Sequence, residues 1–498
     1  MGIKEEDLAR IHTALTADER AKFDGSTVLI TGCGGFLGYY FMNYLASYGK
    51  ELGVEKIIGL DNFMLGTPAW VDEVSAQPFV ETYKFDIITD DLAAIPGAEK
   101  ANLIIHMASI ASPTFYRQYP IETLDANIWG LRKLLDLYAE QNIRGLLFFS
   151  SSEIYGDPDP AHVPTSEDYR GNVSCTGPRA CYDESKRFGE TMCMLYAQKY
   201  GMPIGVARPF NNYGPGMRIN DKRVVADFAR SVVEGENIEI LSDGSPTRTF
   251  CYISDAITGY MKVLLHGTYD YFNIGIDGPE ISIKDLAGIY VKEGARVFGY
   301  DGEVKLATSD DADYLTHNPQ RRCPNISKAR TVLGYEPQVD VYEGVGRFLQ
   351  GGRVSMVVTI FGLGFVGLST AIAFADKGIT VYGIEVNEER RAKIAAGDLP
   401  FYEPGLDEAL ERTLNKTFFV DKPVAEAVHE SDCVYYCVGT PYGENGQADL
   451  TYLYGAIDET LPALDPNRFT VLVVKSTVPP STTDELVRNH IEEQGHTI

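Results

Sequence analysis

Two stretches far apart in the chain share one grammar: a short β-branched run, a glycine-rich turn, and the start of a helix. Residues 27–30 lead into Thr31-Gly32-Cys33-Gly34-Gly35-Phe36-Leu37-Gly38, and residues 357–361 lead into Gly362-Leu363-Gly364-Phe365-Val366-Gly367. Glycine at these spacings lets backbone approach a pyrophosphate, and the helix N-terminus that follows supplies free N–H donors. The first spacing, G-x-x-G-x-x-G, is also a frequent ordinary turn; the second, G-x-G-x-x-G between strand and helix, is the stronger signature. Each stretch is followed by a strand ending in an acid, Asp61 and Glu385. A carboxylate there accepts bonds from ribose hydroxyls and repels a 2′-phosphate, which favours NAD over NADP. Asp61-Asn62 also suits a plain turn. The expectation is an α/β protein with two Rossmann-type units, each a doubly wound parallel sheet. The candidate cofactor residues are Gly32, Gly35, Phe36, Leu37, Gly38 and Asp61 in the first, and Gly362, Gly364, Phe365, Val366, Gly367 and Glu385 in the second.

At 498 residues and a formal charge of −26, the chain has room for several domains and a field that repels nucleic acid and anionic membranes. A phosphate-bearing ligand therefore needs local donors. The eight cysteines are scattered, without C-x-x-C or Cys/His metal spacing, so no metal is expected and a reduced, cytoplasmic location fits. The charged start, MGIKEEDLAR, has no signal-peptide core, and no apolar run reaches membrane-spanning length. Residues 1–25 read as a short charged helix and a lead-in of unknown role.

Tyr182-Asp183-Glu184-Ser185-Lys186 puts a tyrosine and a lysine four residues apart, on one helical face. An ammonium beside a phenol favours the phenolate, so the expectation is a tyrosine of lowered pKa serving as general base. The spacing alone is common in amphipathic helices. Upstream, an apolar strand delivers Ser151, Ser152 and Glu153 at its carboxyl end, where open α/β sheets bind ligands. Taken alone, that cluster reads equally as a polar strand-end turn.

Gly32/Gly35/Gly38, Ser151-Ser152-Glu153 and the run GPRACYDESKRFGET over residues 177–191 together resemble the extended short-chain dehydrogenase/reductase family. Within it they resemble the UDP-glucuronate decarboxylases (UDP-xylose synthases). The resemblance covers roughly residues 26–350, with a substrate subdomain from about 210. It implies that Asp86 and Ile87 face the adenine, that Lys186 binds the nicotinamide ribose, and that Tyr182, Lys186, Ser151, Glu153 and Arg322 are catalytic. It places Tyr116, in a loop, with Arg179 and Asn211 near the sugar. Arg223 and Arg248 fall where the diphosphate is held. Arg322, with Arg321 as alternate, falls where the substrate carboxylate is met. Asn127 is expected to bridge the central strands, and His106 reads as structural. Related dehydratases carry Thr-Asp-Glu, whose aspartate protonates the leaving hydroxyl; Ser152 offers no such acid. The decarboxylases carry Thr-Ser-Glu, so Ser151 departs by one methyl. The implied activity is NAD-dependent conversion of UDP-glucuronate to UDP-xylose, in a homodimer. The rival is a UDP-glucuronate 4-epimerase using the same tyrosine and lysine.

Residues 351–355 read as a linker and 356–498 as a second unit. Its glycine turn, Phe401-Tyr402-Glu403-Pro404, Val438-Gly439-Thr440-Pro441 and Lys475-Ser476-Thr477 resemble the cofactor domain of UDP-glucose 6-dehydrogenase, which adds Thr440 to the cofactor residues. The Gly-rich Cys-Phe-Pro stretch of that family does not occur, and Cys433 and Cys437 read as core. The unit is therefore expected to bind NAD without oxidising UDP-glucose, either as part of a longer fusion or as a scaffold or oligomerisation module.

Overall fold

The computed structural model describes residues 2–308, 319–351, 356–442, 448–465 and 469–493. The linker residues 352–355 and Asn318, at the head of the arginine segment, lie outside them. The chain forms two compact units, Met1–Arg353 and Val354–Ile498.

The first unit is built on a seven-stranded sheet. In spatial order its strands are Asp270–Ile274, Ile204–Pro209, Gly145–Phe149, Leu103–His106, Ser26–Thr31, Val54–Asp61 and Val80–Lys84, and every pairing is parallel. The central strands are continuous apolar runs because helices cover both faces. Alternation sorts them: Val28, Ile30, Ile105 and Leu147 join one core, and Leu29, Ile104, Leu146 and Phe148 the other. The chain winds outward from Ser26–Thr31 to Val80–Lys84, then crosses back to Leu103–His106. That reversal opens a crevice at the carboxyl ends of the two central strands, which is where such sheets take ligands.

Smaller sheets carry the far wall of the crevice. Thr247–Arg248 pairs antiparallel with Ile281–Ser282 and parallel with Arg321–Arg322, with Arg322 opposite Arg248. The N-terminal residues are part of this unit. Helix Ile3–Ala14 buries Asp7, Leu8 and Ile11. Asp7 accepts from Tyr40 at 2.9 Å, Tyr252 at 2.7 Å and Arg347 at 2.7 Å, tying the helix to the glycine-turn helix Phe36–Tyr48 and the closing helix Val341–Gly351.

The second unit is a five-stranded parallel sheet in the order Phe418–Phe419, Thr380–Ile384, Val357–Phe361, Cys433–Tyr436, Val471–Val474. Both units are Rossmann-type α/β folds. Among the described residues no helix is long and apolar enough to cross a membrane, and no group of side chains could hold a metal ion.

Candidate active site

A cleft of about 1990 Å³ runs along the crevice of the first unit. Its floor is the glycine turn. Gly32 has φ +74°, and a Cβ there would meet the Ala108 nitrogen at 2.9 Å; a Cβ on Gly38 would collide with the Cys33 carbonyl. Gly35 starts helix Phe36–Tyr48 with no side-chain cap, so the first-turn N–H groups stay available to an anion. Asp61 stands beside the turn: its Oδ2 accepts from Gly34 N at 2.9 Å and its Oδ1 from Phe63 N at 2.8 Å. Asp86 and Ile87 line the same cleft.

The reactive end lies on helix Ala180–Tyr200 and the end of strand Gly145–Phe149. Tyr182 is buried, stacks on Tyr116 with ring centroids 5.0 Å apart, and hydrogen-bonds the Ser151 hydroxyl. Burial pushes its phenol up to about 12; Ser151 opposes the rise, while Glu153 and Asp183 add to it and Arg223 works against it. The expectation of a lysine-lowered phenol is thus corrected for the free protein. Lys186 Nζ lies 5.7 Å from the Tyr182 ring centroid, donates to the Phe149 carbonyl at 2.8 Å, and is driven down to about 7 by its own burial.

Glu153 is the electrostatic centre. Arg322 donates both terminal nitrogens to it, each at 2.6 Å, and Arg179 pairs with the same carboxylate. Burial alone would raise its pKa, but the two guanidinium groups win and hold it at about 2. Arg248 is buried beside them. It donates to the carbonyls of Thr247 at 2.7 Å and Gln320 at 3.1 Å, and burial followed by repulsion from Arg322 pulls it down to about 9. Arg321, one residue on the other side of the strand pleat, pairs with Glu280 at 2.6 Å and does not line the cleft. Arg223 grips Asp221 at 2.9 Å and lies over the Phe36 ring. Asn211 takes φ +44° and donates to the Thr249 carbonyl at 2.8 Å.

Two further expectations differ from what is found. Tyr116 sits on a short helix, Pro113–Gln118, not in a loop, because Ser112-Pro113 starts helical turns well. Asn127 does not bridge the central strands. It donates to Ser185 Oγ at 2.9 Å, and Ser185 donates to the Tyr182 carbonyl at 3.0 Å, so it steadies the tyrosine helix instead. His106 is buried against Thr31 Oγ1 at 2.8 Å and held near 3 by that burial. One residue of the Tyr–Lys run was not singled out from sequence: Asp183, buried next to Arg179.

In the second unit Gly362 has φ +87°, a Cβ on Gly367 would collide with the Gly362 carbonyl, and Gly364 opens helix Phe365–Asp376 uncapped. Glu385 accepts from Leu363 N at 3.1 Å and Asn387 N at 2.9 Å, and pairs with Arg390 at 3.1 Å. Phe365 and Val366 are exposed. Thr440 donates to the Thr477 carbonyl at 2.7 Å. Cys433 is buried and Cys437 half-buried, with burial raising both thiols.

The sequence pattern of the NAD dependent epimerase/dehydratase family matches residues 28–275. That of the UDP-glucose/GDP-mannose dehydrogenase family, NAD binding domain, matches 356–497. The chain is 37% identical over 324 residues to UDP-glucuronic acid decarboxylase 1 of Xenopus tropicalis, covering 65% of this chain and 71% of that one. It is 36% identical over 318 residues to UDP-glucuronic acid decarboxylase 6 of Arabidopsis thaliana, covering 64% and 86%. The chain belongs to the UDP-glucuronic acid decarboxylase family. It carries in addition a UDP-glucose dehydrogenase-type NAD-binding domain. The fold of the first unit is shared with UDP-glucuronic acid 4-epimerase from Bacillus cereus, solved with UDP-glucuronic acid and NAD, at a TM-score of 0.55 and 24% identity over 65% of this chain and 98% of that one. NAD is the cofactor of this family, and both glycine cradles, each with its neighbouring acid, fit it: Gly32, Gly38, Gly362 and Gly367 leave no room for a Cβ and the helix end is uncapped.

Proposed function

We propose that residues 26–350 convert UDP-glucuronate to UDP-xylose and carbon dioxide through a UDP-4-keto intermediate. What supports this most is the pairing, in one cleft, of a tyrosine–serine couple with an arginine whose two terminal nitrogens already hold a carboxylate. Bound NAD supplies a two-electron acceptor for the sugar's C4 and the means to return the pair at the end. Tyr182, deprotonated and steadied by Ser151 and Lys186, takes the proton of the C4 hydroxyl. The resulting ketone is β to the carboxylate, so the C5–C6 electrons flow into it as carbon dioxide leaves. A proton from solvent then adds at C5 as the electrons return from the C4 oxygen, and Tyr182 returns its own proton to that oxygen. Arg322 orients the carboxylate. Ser151 and Glu153 position the sugar and manage protons, with Arg179, Tyr116 and Asn211 at the ring. Arg223 and Arg248 take the diphosphate, because the guanidinium fork matches phosphate oxygens. In the cofactor cradle Asp61 holds the ribose, Asp86 and Ile87 the adenine, and Lys186 the nicotinamide ribose.

We assign the second unit an NAD site formed by Gly362, Gly364, Phe365, Val366, Gly367, Glu385 and Thr440, as one part of a fusion. We read the protein as a cytoplasmic homodimer. Eight unpaired cysteines support a reducing compartment, and Ile121, Trp129, Phe188 and Leu195, exposed on neighbouring helices, support a second copy of the chain as their cover. The test is to supply UDP-glucuronate and NAD and weigh the product. Loss of carbon dioxide supports the reading; a product of unchanged mass and inverted C4 would make the protein an epimerase.

A further inference from the structure

Arg322, Glu153, Arg179 and Asp183 form an unbroken row of alternating charge. Arg322 and Arg179 both hold Glu153, and Arg179 Nε lies 3.7 Å from Asp183 Oδ2. Asp183 is 6% exposed, follows Tyr182 on the same helix, and does not line the cleft. Its Oδ1 has no hydrogen-bond partner among the described residues. A buried carboxylate with an empty oxygen is costly to fold around unless its charge serves a neighbour.

We propose that Asp183 is a positioning residue of the decarboxylation site, bracing Arg179 from behind and setting the charge that Glu153 and Tyr182 feel. The proposal rests on the decarboxylase reading above. With all four groups ionised the row is neutral. The titratable groups that face Asp183 are Glu153 from the strand end, Arg322 from the far wall, Tyr116 from helix Pro113–Gln118, and Arg179, Cys181, Tyr182 and Glu184 from its own segment. Burial, then Glu153, raises Asp183 to about 7. When charged, it raises the proton affinity of Tyr182. Removing that charge must make the phenol more acidic.

The experiment compares wild type, D183N and D183E in the full chain with NAD. The pH dependence of kcat/KM for UDP-glucuronate should show the acid limb of D183N moved down by roughly half to one pH unit. D183E, which keeps the charge, should leave the limb in place. A merely structural role would lower the rate and leave the limb where it was, and that result would overturn the proposal. If D183N does not fold, D183S carries the same comparison. A second readout needs no turnover: the ultraviolet phenolate signal of Tyr182, taken as the difference between each protein and its Y182F counterpart, should appear at lower pH in D183N. An unmoved phenolate sinks the proposal, whereas a wild-type protein that releases no carbon dioxide sinks only the decarboxylase reading.

Discussion

Both terminal nitrogens of Arg322 bond the two carboxylate oxygens of Glu153, each at 2.6 Å, although the residues lie on opposite walls of the cleft and 169 positions apart in the chain. A sugar carboxylate that enters must share or take this fork. Replacing Arg322 by methionine should raise KM for UDP-glucuronate and lower kcat/KM by roughly ten- to a hundredfold, the range of charge-assisted bonds. Binding of UDP-xylose, which has no carboxylate, should change far less. Equal weakening of both ligands, read by calorimetry, would remove Arg322 from the carboxylate.

Ser151 is the foremost group favouring the Tyr182 phenolate against burial. S151A should therefore move the acid limb of kcat/KM to higher pH, opposite in direction to D183N, while S151T restores it. Y182F should cut turnover by about 10²- to 10⁴-fold with NAD binding retained. The measurement is a pH–rate series with NAD affinity taken in parallel.

Three buried groups give the first unit a defined pH response. His106 and Lys186 are held below their ordinary values by burial, at about 3 and about 7. The unfolded chain binds their protons more readily, so stability falls as pH drops from 10.5 to 7 for Lys186 and from 6.5 to 3 for His106. Glu153, held at about 2 by its arginines, gives stability that is present above 4.5 and lost as pH falls toward 2. Asp183 and Asp255, raised by burial to about 7 and about 6, act in the opposite direction as pH falls toward 3.8, so the readout is the difference between proteins: denaturant midpoints of H106Q should fall less than those of the wild type between pH 6.5 and 3.

The N-terminal helix is a working part of the fold. Asp7 and Arg347 pair at 2.7 Å with neither more than 9% exposed. D7A removes the acceptor shared by Arg347, Tyr40 and Tyr252 while Glu6, at 3.0 Å, still holds the guanidinium, and should cost about 2 kcal/mol in chemical unfolding, the range for buried donors left unsatisfied. A variant with an unchanged midpoint would show the helix to be dispensable.

Much of this site was readable before any coordinates, because its demands are steric. Only glycine fits at Gly32 and Gly38, whereas Asp61 beside them also reads in sequence as a plain turn residue. The choice between Arg321 and Arg322 needed the sheet: consecutive strand residues face opposite ways, and pairing with Thr247–Arg248 sends Arg322 to the cleft. The raised phenol of Tyr182 and the lowered ammonium of Lys186 come from burial, which the i,i+4 spacing does not reveal. Asp183 looks in sequence like any solvated helix acid. Asp7 does too, in a helix rich in charge, and its burial depends on Tyr40, Tyr252 and Arg347 converging from distant parts of the chain.

The most direct test of the account is mass spectrometry of the product formed from UDP-glucuronate by the full chain with NAD. The account predicts UDP-xylose, lighter than substrate by one carbon dioxide, with NAD unchanged at the end and the activity lost in Y182F. A product of the same mass as the substrate, or none from a protein shown to have bound NAD, would contradict it.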